Sequence, residues 1–380
     1  VVESEVEAAQ MFVFENNRGK KPTDLEILKA NMMFQIHLQN SENEKEEVIK
    51  GIKSRFDGIY KAISAIEAFV TEDEVLTYTL RIYSNKLKIN RQQELTNIDR
   101  ELKDDAISFS DEFTRELEEN FINLKRFYAN DRENIWAFEE LITLRDIGFA
   151  IPFILKAYKF NNSHQEKAML AKSLRDIILR NRLVKSKKEL EGRLQKTFEE
   201  YTVDNPTVEP IINGIEWMKQ GGDGLWWNNW NNERVFESLS NPSNYRPVQK
   251  YLLWLYENEL RSTKLKGYQK QKLSDIANGV DLEHIAPEKE NKNSGSGYEP
   301  YDEEMEKQYI NSLGNHLLLS SSHNRGIGNI SFSLKRESYK ESPLYQQREV
   351  FEMTENDHFW NKDKIDKRKE KIIQAILGLI

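Results

Sequence analysis

Residues 280–290 read VDLEHIAPEKE, a short β-like run that sets Glu283 directly beside His284. A carboxylate can hold a hard cation, and a neutral imidazole can take a proton near neutral pH. The chain has six histidines, and three of them (His284, His316 and His323) fall within forty residues. Asn315 precedes the apolar run Leu317–Leu319; Asn324 follows, then Arg325 and Gly326, and a polar helix carrying Lys335 and Arg336. Strand, strand and helix, with an acid–His pair, a middle Asn and a late Asn, suit one-metal phosphodiester hydrolysis. That reaction needs a deprotonated water, for which a positioned base contributes roughly 10²–10⁴-fold in rate. It also needs a hard cation, and Mg²⁺ typically takes one or two protein oxygens and keeps several waters. Glu283 and the carbonyl oxygen of Asn324 would supply them. Asp281 competes with Glu283 for the role, and Asn315 would hold the imidazole in one orientation.

Composition narrows the setting. At 380 residues the chain can bury at least one large core, and length alone suggests two or three domains. With 38% hydrophobic and 31% charged residues it is too polar for a membrane protein. No apolar run approaches the roughly 20 residues that span a bilayer. No basic-then-apolar leader points to secretion. The absence of cysteine excludes disulfides and thiolate metal sites, fits a reducing cytoplasm, and favours Mg²⁺ or Mn²⁺ over structural zinc. A net charge of −8 argues only weakly against a nucleic-acid partner, because phosphate contacts depend on local potential. The chain opens at Val1, without methionine and in mid-helix, so we expect it to be part of something longer.

Long stretches have helical periodicity. In residues 41–70 Ser41 reads as a cap, and Ile49, Ile52, Phe56, Ile59, Ile63 and Ile66 recur at three- and four-residue spacing. Similar patterns run through 72–103, 107–130, 133–160 and 164–201. After about residue 205 the elements shorten, with "KQGGDG", "LSNPSNYRP" and the loop "NKNSGSGYEP" between them. Two β-like runs, GVDLEHIA and GNHLLLSSS, a polar helix from about Ser333 and a last helix over 362–379 follow. The fold class is thus mainly α with a small α+β unit.

The same motifs resemble a known family, the HNH (ββα-metal) endonucleases, and most closely the C-terminal part of GmrSD-type, modification-dependent restriction enzymes. "DLEHIAP" is similar to that family's acid-x-acid-His-x-x-Pro strand and "LGNHLLL" to its Gly-Asn-Leu-x-Leu-Leu strand. "NRGIGNISFSLKRESYKES" resembles its Asn-to-Ser helix, and "FWNKDKIDKRKEKI" its closing helix. The resemblance covers roughly 276–380. It implies that His284 is the general base, Glu283 and Asn324 are metal ligands, Asn315 is the middle Asn, and cleavage leaves 5′-phosphate ends. His316 stands where leucine is usual. A second stretch, "FVFENNRGKKPTDLEILKANMMF" at 12–34, resembles the end of the nucleotide-dependent domain that precedes the nuclease in these enzymes. The Asp-Gly-Gln-Gln-Arg motif of that domain does not occur in this chain. We therefore expect 1–35 to be the tail of an upstream domain, 36–205 a helical body, and 206–380 the nuclease. Its ββα core would span about 278–345, with a closing helix at 362–379. DNA, possibly modified, is the implied partner, in bacterial defence.

Other features carry weaker expectations. A strand histidine is more often structural than catalytic, and it is the agreement of several spaced motifs that favours catalysis at His284. His323 is a further candidate ligand. Arg325, Lys335 and Arg336 would contact phosphate, or would form a solvated helix face. The run 174–196 holds eight basic against three acidic residues, among them Arg180, Arg182, Lys187 and Lys188. It reads as a DNA-backbone track or, more commonly, a solvated face. Asn17 and Arg18, beside two lysines, could face a nucleotide or DNA. Trp226, Trp227 and Trp230 suggest a cage for an extruded base, although Trp more often anchors a core. The competing function classes are a non-catalytic, helical DNA-sensing or regulatory module and an RNase.

Overall fold

The computed structural model describes residues 22–39, 42–186, 190–224, 227–264, 270–276, 279–293, 295–320 and 329–380. They are mainly helical with one two-stranded sheet, the fold class that periodicity predicts. Two compact units emerge. The described residues of Val1–Ile142, Asp146–Lys172 and Glu189–Gly214 form the first, and those of Thr143–Arg145, Ser173–Lys188 and Ile215–Ile380 the second.

Helices α1 (Asp24–His37), α2 (Glu42–Ser64), α3 (Glu72–Tyr83), α4 (Arg91–Asp104) and α5 (Ala106–Lys125) belong to the first unit. So do most of α6 (Trp136–Leu144), α7 (Ile151–Lys159), the start of α8 (His164–Leu183), and α9 (Leu190–Glu200). Two starts are set by capping boxes. Thr23 Oγ1 accepts from the Glu26 amide at 3.2 Å while the Thr23 amide donates to Glu26 Oε2 at 2.8 Å, and Thr71 and Glu74 repeat the arrangement before α3. Ser41, the expected cap of α2, lies outside the described residues. The periodic isoleucines of α2 are buried, and the helix packs along α5.

Four expected helical stretches are interrupted. The stretch 72–103 is α3 and α4, parted where Asn85 takes a φ of 53° and Asn90 caps α4. The stretch 133–160 is α6 and α7, parted at Arg145 and Asp146 (φ 60° and 45°), with Pro152 in the next first turn. The stretch 164–201 is α8 and α9, with Lys185 at φ 47° after α8. In 107–130, α5 ends in a π-helical turn, Arg126–Asn130. Left-handed backbone ends a helix even where apolar spacing continues.

Lys156 of α7 locks the break at Asn85 to the C-terminal end of α9. Its buried ammonium donates to Asn85 Oδ1 at 2.5 Å and to the carbonyls of Phe198 and Tyr201 at 2.6 and 2.8 Å, over the Phe198 ring. The carbonyls close the C-terminal end of α9, and burial lowers the Lys156 amine to about 7.

The second unit contains α10 (Glu209–Lys219, its first residues in the other unit), α11 (Asn232–Leu239), α12 (Pro242–Tyr245) and α13 (Gln249–Lys264). The hairpin follows: β1 (Val280–His284) and β2 (His316–Ser320), antiparallel, with Glu283 opposite Leu317 and His284 opposite His316. Then come α14 (Phe332–Lys340), α15 (Tyr345–Met353) and α16 (Lys362–Leu379). Leu317 and Leu319 join a core with Tyr298, Phe332, Tyr339 and Trp360. α16 closes on the 3-10 turn Leu313–Asn315 so tightly that a Cβ on Gly314 would run into the Ile365 carbonyl, so only glycine fits. Buried Arg368 of α16 donates to the Gly314 and His316 carbonyls (2.8 and 2.6 Å) and to Glu349 Oε2 (3.2 Å), fixing the start of β2.

Lys156→Met should destabilise the chain by about 3 kcal/mol, because it strips two buried carbonyls and the half-buried Asn85 side chain of their donor. Denaturant titration reads this as a lower midpoint at unchanged slope; a midpoint equal to wild type would refute the lock.

Candidate active site

Strand alternation decides the geometry of the Glu283–His284 pair. Successive side chains point to opposite faces, so Asp281 and Glu283 share one face with Leu317 and Leu319, while His284 shares the other with Leu282 and His316. Glu283 is buried and paired with Lys335 of α14, whose ammonium also donates to the carbonyls of His284 (2.8 Å) and Ile285 (3.4 Å). Burial pulls the Lys335 amine below its ordinary value, and Glu283 opposes that shift. The acid and the histidine are therefore neighbours in chain but face apart.

His284 lies against His316, ring centroids 4.2 Å apart and tilted by 52°. Its Nε2 is buried and finds no hydrogen-bond partner among the described residues. Burial lowers the pKa of His284; the hydrogen-bonded Asn311 side chain and Glu288 oppose this, and the charges of Lys335 and Arg246 reinforce it. His316 Nδ1–H donates to the Ser312 carbonyl at 2.8 Å. Burial, then the neighbouring His284, push His316 down to about 3, against the Ser312 bond. Both rings are thus neutral at pH 7, and the free Nε2 lone pair of His284 can accept a proton.

Asn315 does not touch that imidazole, contrary to the expected orienting role. It is fully buried, and all four of its side-chain hydrogen bonds are spent elsewhere. Oδ1 accepts from the Ala286 amide (2.8 Å) and Trp360 Nε1 (3.0 Å); Nδ2 donates to the Ala286 and Ile310 carbonyls (3.0 and 2.9 Å). Asn315 fixes the backbone beyond His284, not its ring. The ring is positioned by Asn311 and His316. Asn311 was not legible, whereas His316 is detectable once the two strands are paired in register.

The expected phosphate contacts also change. Lys335 is 0% exposed, and Arg336 is 4% exposed, donating to Thr354 Oγ1 and the Phe351 carbonyl and lying over the Phe351 ring. Neither reaches solvent, so both corrections follow from burial. In the basic run, Arg180 is 1% exposed and donates to the carbonyls of Trp230 and Ile380 and to Asn232 Oδ1 (2.7–2.8 Å). Arg182 donates to the Leu144 and Arg145 carbonyls. A guanidinium committed to chain-terminating and loop carbonyls is structural, so Arg180 and Arg182 are not part of a DNA track. Asn17, Arg18, Lys187, Lys188, His323, Asn324 and Arg325 lie outside the described residues, as does Trp226. Trp230 is a core residue, its Nε1 donating to Asn181 Oδ1 at 2.9 Å, and Trp227 packs edge-on against Trp217. The expected three-tryptophan cage loses Trp230 to the core.

For a hard cation, the oxygen donors Asp281 and Glu283 on one face are of the right chemical type. No group of three or more His, Asp or Glu side chains gathers for a metal among the described residues, so Asn324 would have to complete the set.

Two short antiparallel strands, the first ending in an acid–histidine pair, with one helix against the acid face and another against the 3-10 turn before the second strand, form a small α+β unit. Residues 230–375 match the family described as GmrSD restriction endonucleases, C-terminal domain. The match covers less than half of the chain, and no curated protein matches the sequence. The match supports a nuclease role in a restriction system, with DNA as the implied substrate. No helix among the described residues is long and apolar enough to cross a membrane.

Two measurements check this geometry. His316 has its pKa lowered in the fold, so acid favours the unfolded state: stability is full above the ordinary histidine value of 6.5 and falls as pH drops from there toward about 3. His316→Leu should flatten this part of the stability–pH profile, and an unchanged slope would refute the assignment. Arg180→Ala should cost about 2–4 kcal/mol of stability by leaving buried carbonyls unpaired; full stability with a reduced salt dependence of DNA binding would restore the track.

Proposed function

We propose that the chain is a metal-dependent DNA endonuclease of the HNH type, acting in defence against foreign or modified DNA. One observation carries the reading: the buried Nε2 of His284, partnerless among the described residues, one residue beyond Glu283, in the segment that matches a restriction-nuclease family. His284 takes the proton of the attacking water at Nε2, and Asn311 and His316 hold its ring while it does so. Asp281 and Glu283, with Asn324, would hold Mg²⁺ or Mn²⁺, which when bound offsets negative charge developing on the phosphate. Lys335 sets the position of Glu283 by gripping it together with the His284 and Ile285 carbonyls. The helical first unit would present DNA or couple to an upstream nucleotide-dependent domain.

A second reading has an observation of its own. Glu283 is already neutralised by Lys335 and faces away from His284, as suits a non-catalytic DNA-sensing module. The two readings differ in a nicking assay. His284→Ala should lose about 10²–10⁴-fold in cleavage rate while retaining fold and DNA affinity. EDTA should abolish cleavage, and Mg²⁺ or Mn²⁺ should restore it. Loss of activity in Glu283→Ala but not Asp281→Ala identifies the ligand, and the converse reverses the choice. Absence of metal-dependent nicking by the native chain would leave the sensing module, and preference for a matched RNA would make the enzyme an RNase.

A further inference from the structure

With Lys335 and Arg336 buried, the site as described lacks the cation that should meet the DNA phosphate. Among the charges that act on His284 are those of Lys335 and Arg246. Lys335 is committed to Glu283 and two carbonyls. Arg246 is exposed, makes no side-chain hydrogen bond or ion pair to the described residues, and its charge reaches His316 as well as His284.

Its placement is fixed at both sides by the segment that carries it. Tyr245, buried, donates its hydroxyl to the Asn311 carbonyl at 2.8 Å, and the side chain of the same Asn311 bonds the His284 ring. Four residues beyond Arg246, the Lys250 ammonium donates to the Val280 carbonyl at the opposite end of β1. The segment 245–250 is thus strapped alongside β1 from its histidine end to its start. Pro247 and the helical turn Arg246–Val248 stiffen it directly before α13. Arg246 stands at the histidine end of this strap and is exposed.

Resting on the endonuclease reading above, we infer that Arg246 binds a DNA backbone phosphate and holds it beside His284. A guanidinium offers paired, planar donors that fit two phosphate oxygens. Among the described residues no carboxylate is bonded to Arg246, and the one acting on the same imidazole, Glu288, is exposed, so a phosphate can serve as the arginine's partner. The contact is to the backbone, so it is independent of base sequence.

The test measures equilibrium binding of a duplex to the full chain in a His284→Ala background, where DNA is not cut, across a range of salt. Adding Arg246→Gln should weaken binding about tenfold and reduce the slope of log affinity against log salt by about 0.9, the value for one phosphate contact. Arg246→Lys should recover the slope and only part of the affinity, because it keeps the charge and loses the planar fork. In the otherwise native chain, Arg246→Gln should raise KM for cleavage. Unchanged affinity and slope in Arg246→Gln overturn the inference, as does failure of the chain to bind duplex at low salt. If Arg246→Gln weakens binding as expected yet His284→Ala still cuts, the phosphate contact stands and the assignment of the base falls. If His284→Ala is inert while Arg246→Gln binds normally, the reverse holds.

Discussion

The second unit depends on the amide of Asn315. A buried carboxamide is costly unless each of its donors and acceptors is met, and here all four hydrogen bonds are made within the fold. Three separate pieces of chain converge on it: the exit of β1 at Ala286, the turn at Ile310, and Trp360 at the entrance to α16. No apolar residue could replace it, because the backbone groups of Ala286 sit beyond the end of the β ladder and have no strand partner. The network therefore lets β1 stop at His284 without exposing or stranding main-chain polar groups. It also ties the closing helix to the same point that Gly314 and Arg368 press from the other side.

Buried charge follows the same logic. Lys335, Arg368, Arg180 and Lys156 each donate to two or more main-chain carbonyls, most of them at element ends where no ladder or helix partner remains. Long basic side chains thus serve as internal caps. Glu349 shows the complementary case. Burial alone would raise its pKa, but Arg368, Lys371 and the Tyr256 hydroxyl outweigh this and hold the carboxylate charged.

This use of basic residues explains what was legible in the sequence and what was not. The hairpin and the last helix were legible because period-two and period-3.6 patterns report directly on burial: β1, β2 and α16 fall where alternation and spacing place them. The pairing of His284 with His316 lay one step further, since it needs the register of two strands separated by a long loop. The fate of Arg180, Arg182, Lys335 and Arg336 was not legible. A cluster of positive charge looks the same whether it faces phosphate or carbonyl oxygen, and only the tertiary fold says which oxygens are near. The helix breaks at Asn85, Arg145–Asp146 and Lys185 were missed for a related reason. Apolar spacing continues across them, and the left-handed residues that interrupt it are Asn and Asp but also Arg and Lys, which carry no turn signature.

The opposed faces of Glu283 and His284 impose a condition on any ligand that engages both. Along a regular strand, adjacent side chains diverge, and one group cannot meet them from above or below the sheet. They can be approached together only around the strand's end or along its edge. The backbone leaves the ladder at Ile285, where Asn315 holds Ala286. Lys335 already occupies the inner side of that end, bonded to Glu283 and to the His284 and Ile285 carbonyls. The remaining approach is from the side where Asn311 meets the His284 ring and segment 245–250 runs past. Among the described residues, a ligand arriving along this side would meet the imidazole before the carboxylate, which Lys335 and the core enclose.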